Sequence, residues 1–451
     1  YELKKGDRIA VLSAFRIELI ALFGAAQKAG FVIVPINTRL TATEVDFQLK
    51  NSGAKLVIAE SNFKEQTEQT HLNVIKWGDT LGGDSDPYAV ELKEEDPLFI
   101  LYTSGTTGLP KGAVYTHKML FWNSVNTHLR LNLTANDTTV NCMPAFHTGG
   151  WNVLITPLLH HGGTIWLTNE FEAEDVLANL EKSESTLFMA VPTMLKILGD
   201  TERFSSLKLP SIRYFIVGGE ALPIPVIEAW DEKGIPIRQG YGLTEVGPNV
   251  TSLHQNDALQ KRGSIGFFNF YIDARVVSDS GTDCKTNEVG ELWLKGPNVS
   301  PGYWQNNDAN ASSFVDGWFK TGDLVRIDAE GFVFVAGRKK EMYISGGENV
   351  YPREVEKVIQ SHPDVTEASV IGVPDKKWGE SGAAWVATRD NTPLNQSALK
   401  AYVAERLAKF KIPKYFFFTE ALPLNTTGKI DKKKLLELYT NQQKTSNHEN
   451  V

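Results

Sequence analysis

Glycine, threonine, serine and lysine crowd into one stretch, YTSGTTGLPKG, from Tyr102 to Gly112. The hydroxyls of Thr103, Ser104, Thr106 and Thr107 and the ammonium of Lys111 are donors suited to phosphate oxygens. Gly105 and Gly108 let successive backbone N–H groups close around an anion. The order is not that of the common P-loop, which needs Gly directly before the Lys and Ser or Thr directly after it. Here Pro110 precedes Lys111 and Gly112 follows it. A surface turn rich in Gly and Thr would have the same composition, so the stretch is weighed by where it lies.

Two more loops of this type follow apolar runs. GGEAL (218–222) follows YFIV and offers Gly219, Glu220 and Ala221, while GYGLTE (240–245) follows IPIRQ and offers Gly240, Tyr241, Gly242, Leu243, Thr244 and Glu245. In open parallel sheets, ligands collect beyond the carboxyl ends of strands, and three such loops at strand ends predict a nucleotide or phosphate site.

The elements that must position these loops are legible as periodicity. RIAVL (8–12), FVIVPI (31–36), KLVIA (55–59) and LFILY (98–102) read as buried strands, and Leu19, Leu22, Phe23 and Ala26 recur at helical spacing between the first two. The pattern returns at IRYFIVG (212–218), an amphipathic segment 223–233 and IPIRQG (235–240). Strands alternating with helices predict βαβ crossovers and a mainly parallel sheet covered by helices. From about 263 to 337, short runs such as DARVV, GELWLKG and GFVFVAG are separated by turn residues and predict a small β-barrel-like unit. Beyond GRKKEMYISGG (337–347) strand and helix alternate again, with Leu399, Tyr402, Val403 and Leu407 marking one helix, and the polar tail 440–451 is expected to fray.

The fold class expected is α/β: a large N-terminal portion of parallel and mixed sheets over 1–337, a hinge at 338–341, and a small mobile α+β C-terminal domain over 342–451. A length of 451 residues supports about three structural units. Hydrophobic content of 42% and charged content of 22% are those of an ordinary globular protein. A net charge of -8 argues against a nucleic-acid partner. Two cysteines without metal spacing argue against a disulfide framework, and a reducing cytoplasm is the default expectation. No apolar run approaches the length of a membrane span. The chain opens at Tyr1 without Met, and further residues are expected upstream.

YTSGTTGLPKG, YGLTE, KTGDL (320–324), GRKKEMYISGGENVYPREVE (337–356) and NTTGK (425–429) occur in that order. Together they resemble the acyl-adenylate-forming family of acyl-CoA synthetases, luciferases and carrier-protein adenylation domains. The motifs span residues 98–430, and so ordered a set is very specific. The resemblance implies two half-reactions: a carboxylate attacks the α-phosphate of ATP, giving acyl-AMP and pyrophosphate, and a thiol, usually of coenzyme A, then displaces AMP. The loop at 103–108 with Lys111 would then cradle departing pyrophosphate.

The same resemblance assigns roles. Lys429 would neutralise charge on the attacking carboxylate and the α-phosphate, where one aimed donor is commonly worth about 3–4 kcal/mol; in isolation it would be a solvated lysine. Glu245 would ligate Mg²⁺, a hard cation that prefers oxygen ligands. Tyr241 would stack on adenine and Thr244 would bond phosphate; otherwise they are a core tyrosine and a capping threonine. Asp323 would hold the ribose hydroxyls with Arg338 beside it, though an Asp in a Gly turn is commonly just a turn residue. Lys340 occupies the hinge position, where the backbone takes up the rotation between reaction states. Ser345, Gly346 and Gly347 would line a narrow thiol tunnel for coenzyme A, and an ordinary hairpin turn would look alike. His147 in PAFHTGGWN (144–152) would border the acyl pocket with Phe146, Trp151 and Val153, or satisfy local backbone groups.

The reading is an ATP-dependent acid–CoA ligase acting on a medium- or long-chain fatty acid, since NTRLTATE (37–44) and DKKWGE (375–380) resemble fatty acyl-CoA synthetases. An aryl acid such as o-succinylbenzoate is the competing substrate, because aromatic-acid ligases share every core motif. A non-catalytic nucleotide-binding protein and a kinase or ATPase are the rivals from other classes; the ligase alone yields AMP and pyrophosphate. A homodimer is compatible with all of this.

Overall fold

The computed structural model describes residues 2–68, 70–80, 90–103, 109–219, 222–389, 394–426 and 428–448. The chain divides into two compact units: Tyr1–Arg275 with Trp293–Thr321 and Asp328–Phe334, and Val276–Leu292 with Gly322–Ile327 and Val335–Val451.

In the first unit, a six-stranded sheet runs in the order Asn73–Ile75, Leu56–Ala59, Arg8–Leu12, Val32–Pro35, Pro97–Thr103 and Lys111–Thr116. Pairing is parallel except for the last pair, which is antiparallel. Side chains alternate across it as period two requires. Ile9, Val11, Ile33, Leu56, Ile58, Phe99 and Leu101 pack on one face with Leu19, Phe23 and Ala26 of helix Ile17–Ala29. Ala10, Leu12, Val32, Val34, Val57 and Ile100 pack on the other with Val45 and Leu49 of helix Ala42–Ser52. That second helix starts at a capping box, Thr41 with Glu44, and ends at Gly53 in the left-handed conformation. A sheet buried on both faces explains why its strands read as near-continuous apolar runs.

A second sheet has a parallel half ordered Thr164–Leu167, Thr138–Asn141, Leu187–Ala190, Tyr214–Val217 and Ile237–Tyr241. Thr251–Ser252 pairs antiparallel with Ile237–Tyr241, and Ser264–Phe268 follows it, also antiparallel. The short strands expected between 263 and 337 are present and continue this sheet. The segment 223–233 is the helix Ile224–Glu232, entered at Pro223.

The second unit carries a sheet ordered Glu348–Val350, Tyr343–Ser345, Gly379–Thr388 and Val365–Asp375, with Tyr415–Thr419 parallel to Gly379–Thr388. Ala368 and Val370 face helices Pro352–Gln360 and Gln396–Ala404, through Val355, Ile359, Leu399 and Val403. Ile371 and Val373 face the opposite way, against Leu435 and Tyr439 of helix Lys432–His448. The polar tail expected to fray is helical as far as His448.

Candidate active site

The strands Tyr214–Val217 and Ile237–Tyr241 are parallel neighbours, so the loops beginning at Gly218 and Gly242 leave the same edge of the sheet. Their glycines allow close approach: a Cβ on Gly218 would lie 3.3 Å from the Gly240 carbonyl, and one on Gly242 would fall inside the Pro248 carbonyl. Gly219 has φ +88, where a side chain would be strained. Tyr241 ends its strand, Leu243 is extended, and Thr244–Val246 form a single 3₁₀ turn closed by the Val246 N–H on the Leu243 carbonyl (3.1 Å). Glu220 and Ala221, like Ser104, Gly105, Thr106, Thr107 and Gly108, lie outside the described residues.

Thr103 and Lys111 stand opposite each other as the last pair of the Pro97–Thr103 and Lys111–Thr116 hairpin. A Cβ on Gly112 would come 2.6 Å from Ile100 Cγ2, so the glycine lets the two strands close next to Lys111. The free edge of Lys111–Thr116 is taken by the segment after Pro297: Ala113 bridges to Tyr303, the Val114 N–H donates to the Gly302 carbonyl (3.0 Å), and the Trp304 N–H donates to the Gly112 carbonyl (2.7 Å).

That segment reaches the Glu245 turn. Ser300 N–H donates to the Glu245 carbonyl (2.8 Å), Asn298 Nδ2 donates to the Val246 carbonyl (2.6 Å), and the Tyr115 hydroxyl donates to the Gly247 carbonyl (2.9 Å). Tyr303 Oη donates to Glu245 Oε1 at 2.8 Å, and Lys111 Nζ lies 5.2 Å from the centre of the Tyr303 ring. Lys111, Tyr303 and Glu245 thus form one cluster of ammonium, phenol and carboxylate, with Glu245 and Tyr303 both buried. Reading the sequence missed Tyr303, Ser300 and Asn298; the available signal was Gly–Tyr–Trp (302–304) amid polar residues. Among the described residues, no three His, Cys, Asp or Glu are grouped to hold a metal. One carboxylate fits Mg²⁺, which keeps several waters and takes further ligands from substrate phosphates.

His147 immediately precedes the short helix Thr148–Asn152 and accepts the Gly150 N–H on its carbonyl (3.0 Å), with its ring 4.6 Å from that of Phe146. Trp151 is fully buried and donates from Nε1 to the Ala145 carbonyl (2.7 Å), which makes it a fixed support. Asn123, Asn152 and Asn249 tie this helix to the chain beyond Glu245. Asn123 Nδ2 and Asn249 Nδ2 both donate to the Asn152 carbonyl, at 2.7 and 3.1 Å.

In the second unit, the Asp323 carboxylate is 5% exposed and meets Arg338 Nε at 2.7 Å. Lys339 N–H donates to the Gly322 carbonyl (2.8 Å), and Lys339 Nζ pairs with Asp279 (3.1 Å) and Glu291 (3.3 Å). Lys340 follows in an exposed turn, where the Glu341 and Met342 N–H groups donate back to the Arg338 carbonyl. Ser345 ends a strand, and Gly346 (φ +62) and Gly347 (φ +87) form the two-residue turn to Glu348–Val350, a geometry that favours glycine at both positions. Trp378 packs over Gly346, where a Cβ would lie 2.9 Å from its ring. Lys429 is exposed on a loop closed by the Asn425 N–H on the Lys429 carbonyl (2.7 Å) and the Gly428 N–H on the Asn425 carbonyl (2.9 Å).

The sequence model of the AMP-binding enzyme family matches residues 2–304, and that of the AMP-binding enzyme C-terminal domain matches residues 354–429. The long-chain-fatty-acid–CoA ligase FadD13 of Mycobacterium tuberculosis is 38% identical over 449 residues, covering 97% of this chain and 89% of its own. The feruloyl-CoA synthase of Amycolatopsis sp is 36% identical over 432 residues, covering 95% and 88%. The solved structure of the O-succinylbenzoate coenzyme A synthetase (MenE) of Bacillus subtilis, in complex with ATP and magnesium ion, aligns with a TM-score of 0.86 at 36% identity, covering 95% of this chain and 89% of that one. The chain belongs to the AMP-binding enzyme family and is an AMP-forming acid–CoA ligase.

Proposed function

We propose that this chain converts a medium- or long-chain fatty acid to its coenzyme A thioester, with ATP and Mg²⁺ as cofactors. In the first half-reaction a carboxylate oxygen bonds to the α-phosphorus of ATP and the bond to pyrophosphate breaks, leaving acyl-AMP. In the second, the coenzyme A sulfur bonds to the carbonyl carbon, AMP leaves with the C–O bonding pair, and the thiol proton passes to solvent.

Residues 103–108 with Lys111 hold the departing pyrophosphate. Thr244 bonds phosphate, Tyr241 stacks on adenine, and the loop residues Gly219, Glu220, Ala221, Gly240, Gly242 and Leu243 shape the nucleotide site. Glu245 ligates Mg²⁺, which when bound offsets phosphate charge. Asp323, oriented by Arg338, takes the ribose hydroxyls. Lys429 acts on the charge that builds at the α-phosphate. His147 borders the acyl carboxylate, and Ser345, Gly346 and Gly347 take the thiol arm. We assign residues 1–337 to the adenylate-forming part, 338–341 to a pivot centred on Lys340, and 342–451 to the mobile part.

The observation that carries the fatty-acid reading is the 38% identity across 97% of this chain to a long-chain-fatty-acid–CoA ligase. An aryl acid is the second reading, favoured by the 36% identity to a feruloyl-CoA synthase over 95% of the chain. A panel of alkyl and aryl acids, assayed for pyrophosphate release and then for thioester with coenzyme A, tests both. Fatty acids of eight or more carbons are expected to give kcat/KM at least about ten-fold above ferulate and o-succinylbenzoate, a ratio that a few methylenes of apolar pocket supply. The reverse order would select the aryl reading.

A further inference from the structure

We propose that Tyr303 is a positioning residue for adenylation, holding the Glu245 carboxylate in the orientation that Mg²⁺·ATP requires; this rests on the role given to Glu245 above. Glu245 is buried in a 3₁₀ turn whose backbone is fastened by Ser300 and Asn298, but these bonds fix the main chain only. Its carboxylate rotates about the side-chain torsions unless a partner holds one oxygen. Tyr303 Oη is that partner, donating to Oε1 at 2.8 Å. With one oxygen turned to the phenol, the carboxylate presents its other oxygen in a fixed direction.

The phenol is itself fixed from three sides. Tyr303 bridges to Ala113, its N–H donates to Asn310 Oδ1 (2.7 Å), and its ring is buried with Ala113 and Ala309 against Phe314. On the ring sits Lys111 Nζ, 5.2 Å from the centre, close enough for the ring quadrupole to attract the ammonium. One side chain therefore sets the direction of the carboxylate and gives the phosphate-loop lysine a resting face. Lys111 begins a strand of the first sheet and Glu245 lies in the turn after strand Ile237–Tyr241 of the second, and Tyr303 joins them because its segment adds to the edge of Lys111–Thr116.

The test uses the full chain. Tyr303→Phe removes the hydroxyl and keeps the ring, so packing and the lysine contact stay. Pyrophosphate exchange is expected to fall about ten-fold at low free Mg²⁺, the scale of one hydrogen bond to a charged group. It should recover in part as Mg²⁺ is raised, while thioester formation from supplied acyl-AMP is unchanged. Calorimetric titration with ATP at fixed Mg²⁺ should show weaker binding for Tyr303→Phe, and the difference should vanish in EDTA. An unchanged Mg²⁺ dependence, or equal losses in both half-reactions, overturns the proposal. Glu245→Gln separates the two layers. If it shifts the Mg²⁺ dependence and Tyr303→Phe does not, only the role of Tyr303 fails. If Glu245→Gln leaves that dependence unchanged, the reading of Glu245 fails as well.

Discussion

Lys429 stands exposed on its loop in the second unit. Its proposed work appears only when charge develops at the α-phosphate, so Lys429→Ala should lower pyrophosphate exchange by about 10²–10³-fold, the usual loss for one aimed donor. Thioester formation from supplied acyl-AMP should persist, and equal loss in the two assays would count against the assignment. A different residue, Gly242, is constrained by space. An added methyl would occupy the position of the Pro248 carbonyl, so Gly242→Ala should destabilise the first unit by about 2–4 kcal/mol, read as a drop in Tm. The candidate site residues that sequence offers sit in short contiguous motifs, as Tyr241, Thr244 and Glu245 do. Tyr303 is not among them, because the hydrogen bond that gives it meaning spans 58 positions and depends on which segment adds to a sheet edge.

The strands and helices were largely legible because each buries a side at its own period. The runs at 8–12, 55–59 and 98–102 are strands at Arg8–Leu12, Leu56–Ala59 and Pro97–Thr103, and Leu19, Phe23 and Ala26 do face the core from helix Ile17–Ala29. Sheet order was not legible, since nothing local says that Lys111–Thr116 runs antiparallel at one edge or that strands from 263 to 337 continue the second sheet. Local chemistry also sets a pH dependence at the turn between the long strands Val365–Asp375 and Gly379–Thr388. Lys414 Nζ, 2.6 Å from Asp375, and the N–H groups of Lys377 and Trp378 hold the Asp375 carboxyl down to about 2. A depressed carboxyl stabilises the fold fully above its unfolded value near 3.8 and loses that contribution as pH falls toward 2. Asp375→Asn should therefore flatten the decline of Tm between pH 4 and pH 2, and a wild-type slope in the variant would show that the pair is not what titrates.

Across the whole molecule, the proposed chemistry asks one chain to offer a nucleotide site to ATP and then a thiol path to coenzyme A. A pivot for such a change needs a backbone position that can rotate next to a held one, and Lys340 is the position proposed for it. Arg338 is paired with Asp323, and Lys339 is held through its N–H by Gly322 and through Nζ by Asp279 and Glu291. Lys340 is the next residue, in a turn without strand pairing. Proline there would fix φ near its single allowed value and disfavour the helical region for Lys339. Lys340→Pro should then retain one half-reaction within about three-fold while turnover to thioester falls at least about ten-fold, since a barrier of about 1.4 kcal/mol is enough for that. The two steps are measured apart, as pyrophosphate exchange and as thioester from supplied acyl-AMP. If both fall together with Tm, the substitution has damaged the fold; if overall turnover is unchanged, the backbone at 340 does not carry the rotation. Only the intermediate pattern, one step kept and the sequence of two lost, locates the pivot at Lys340.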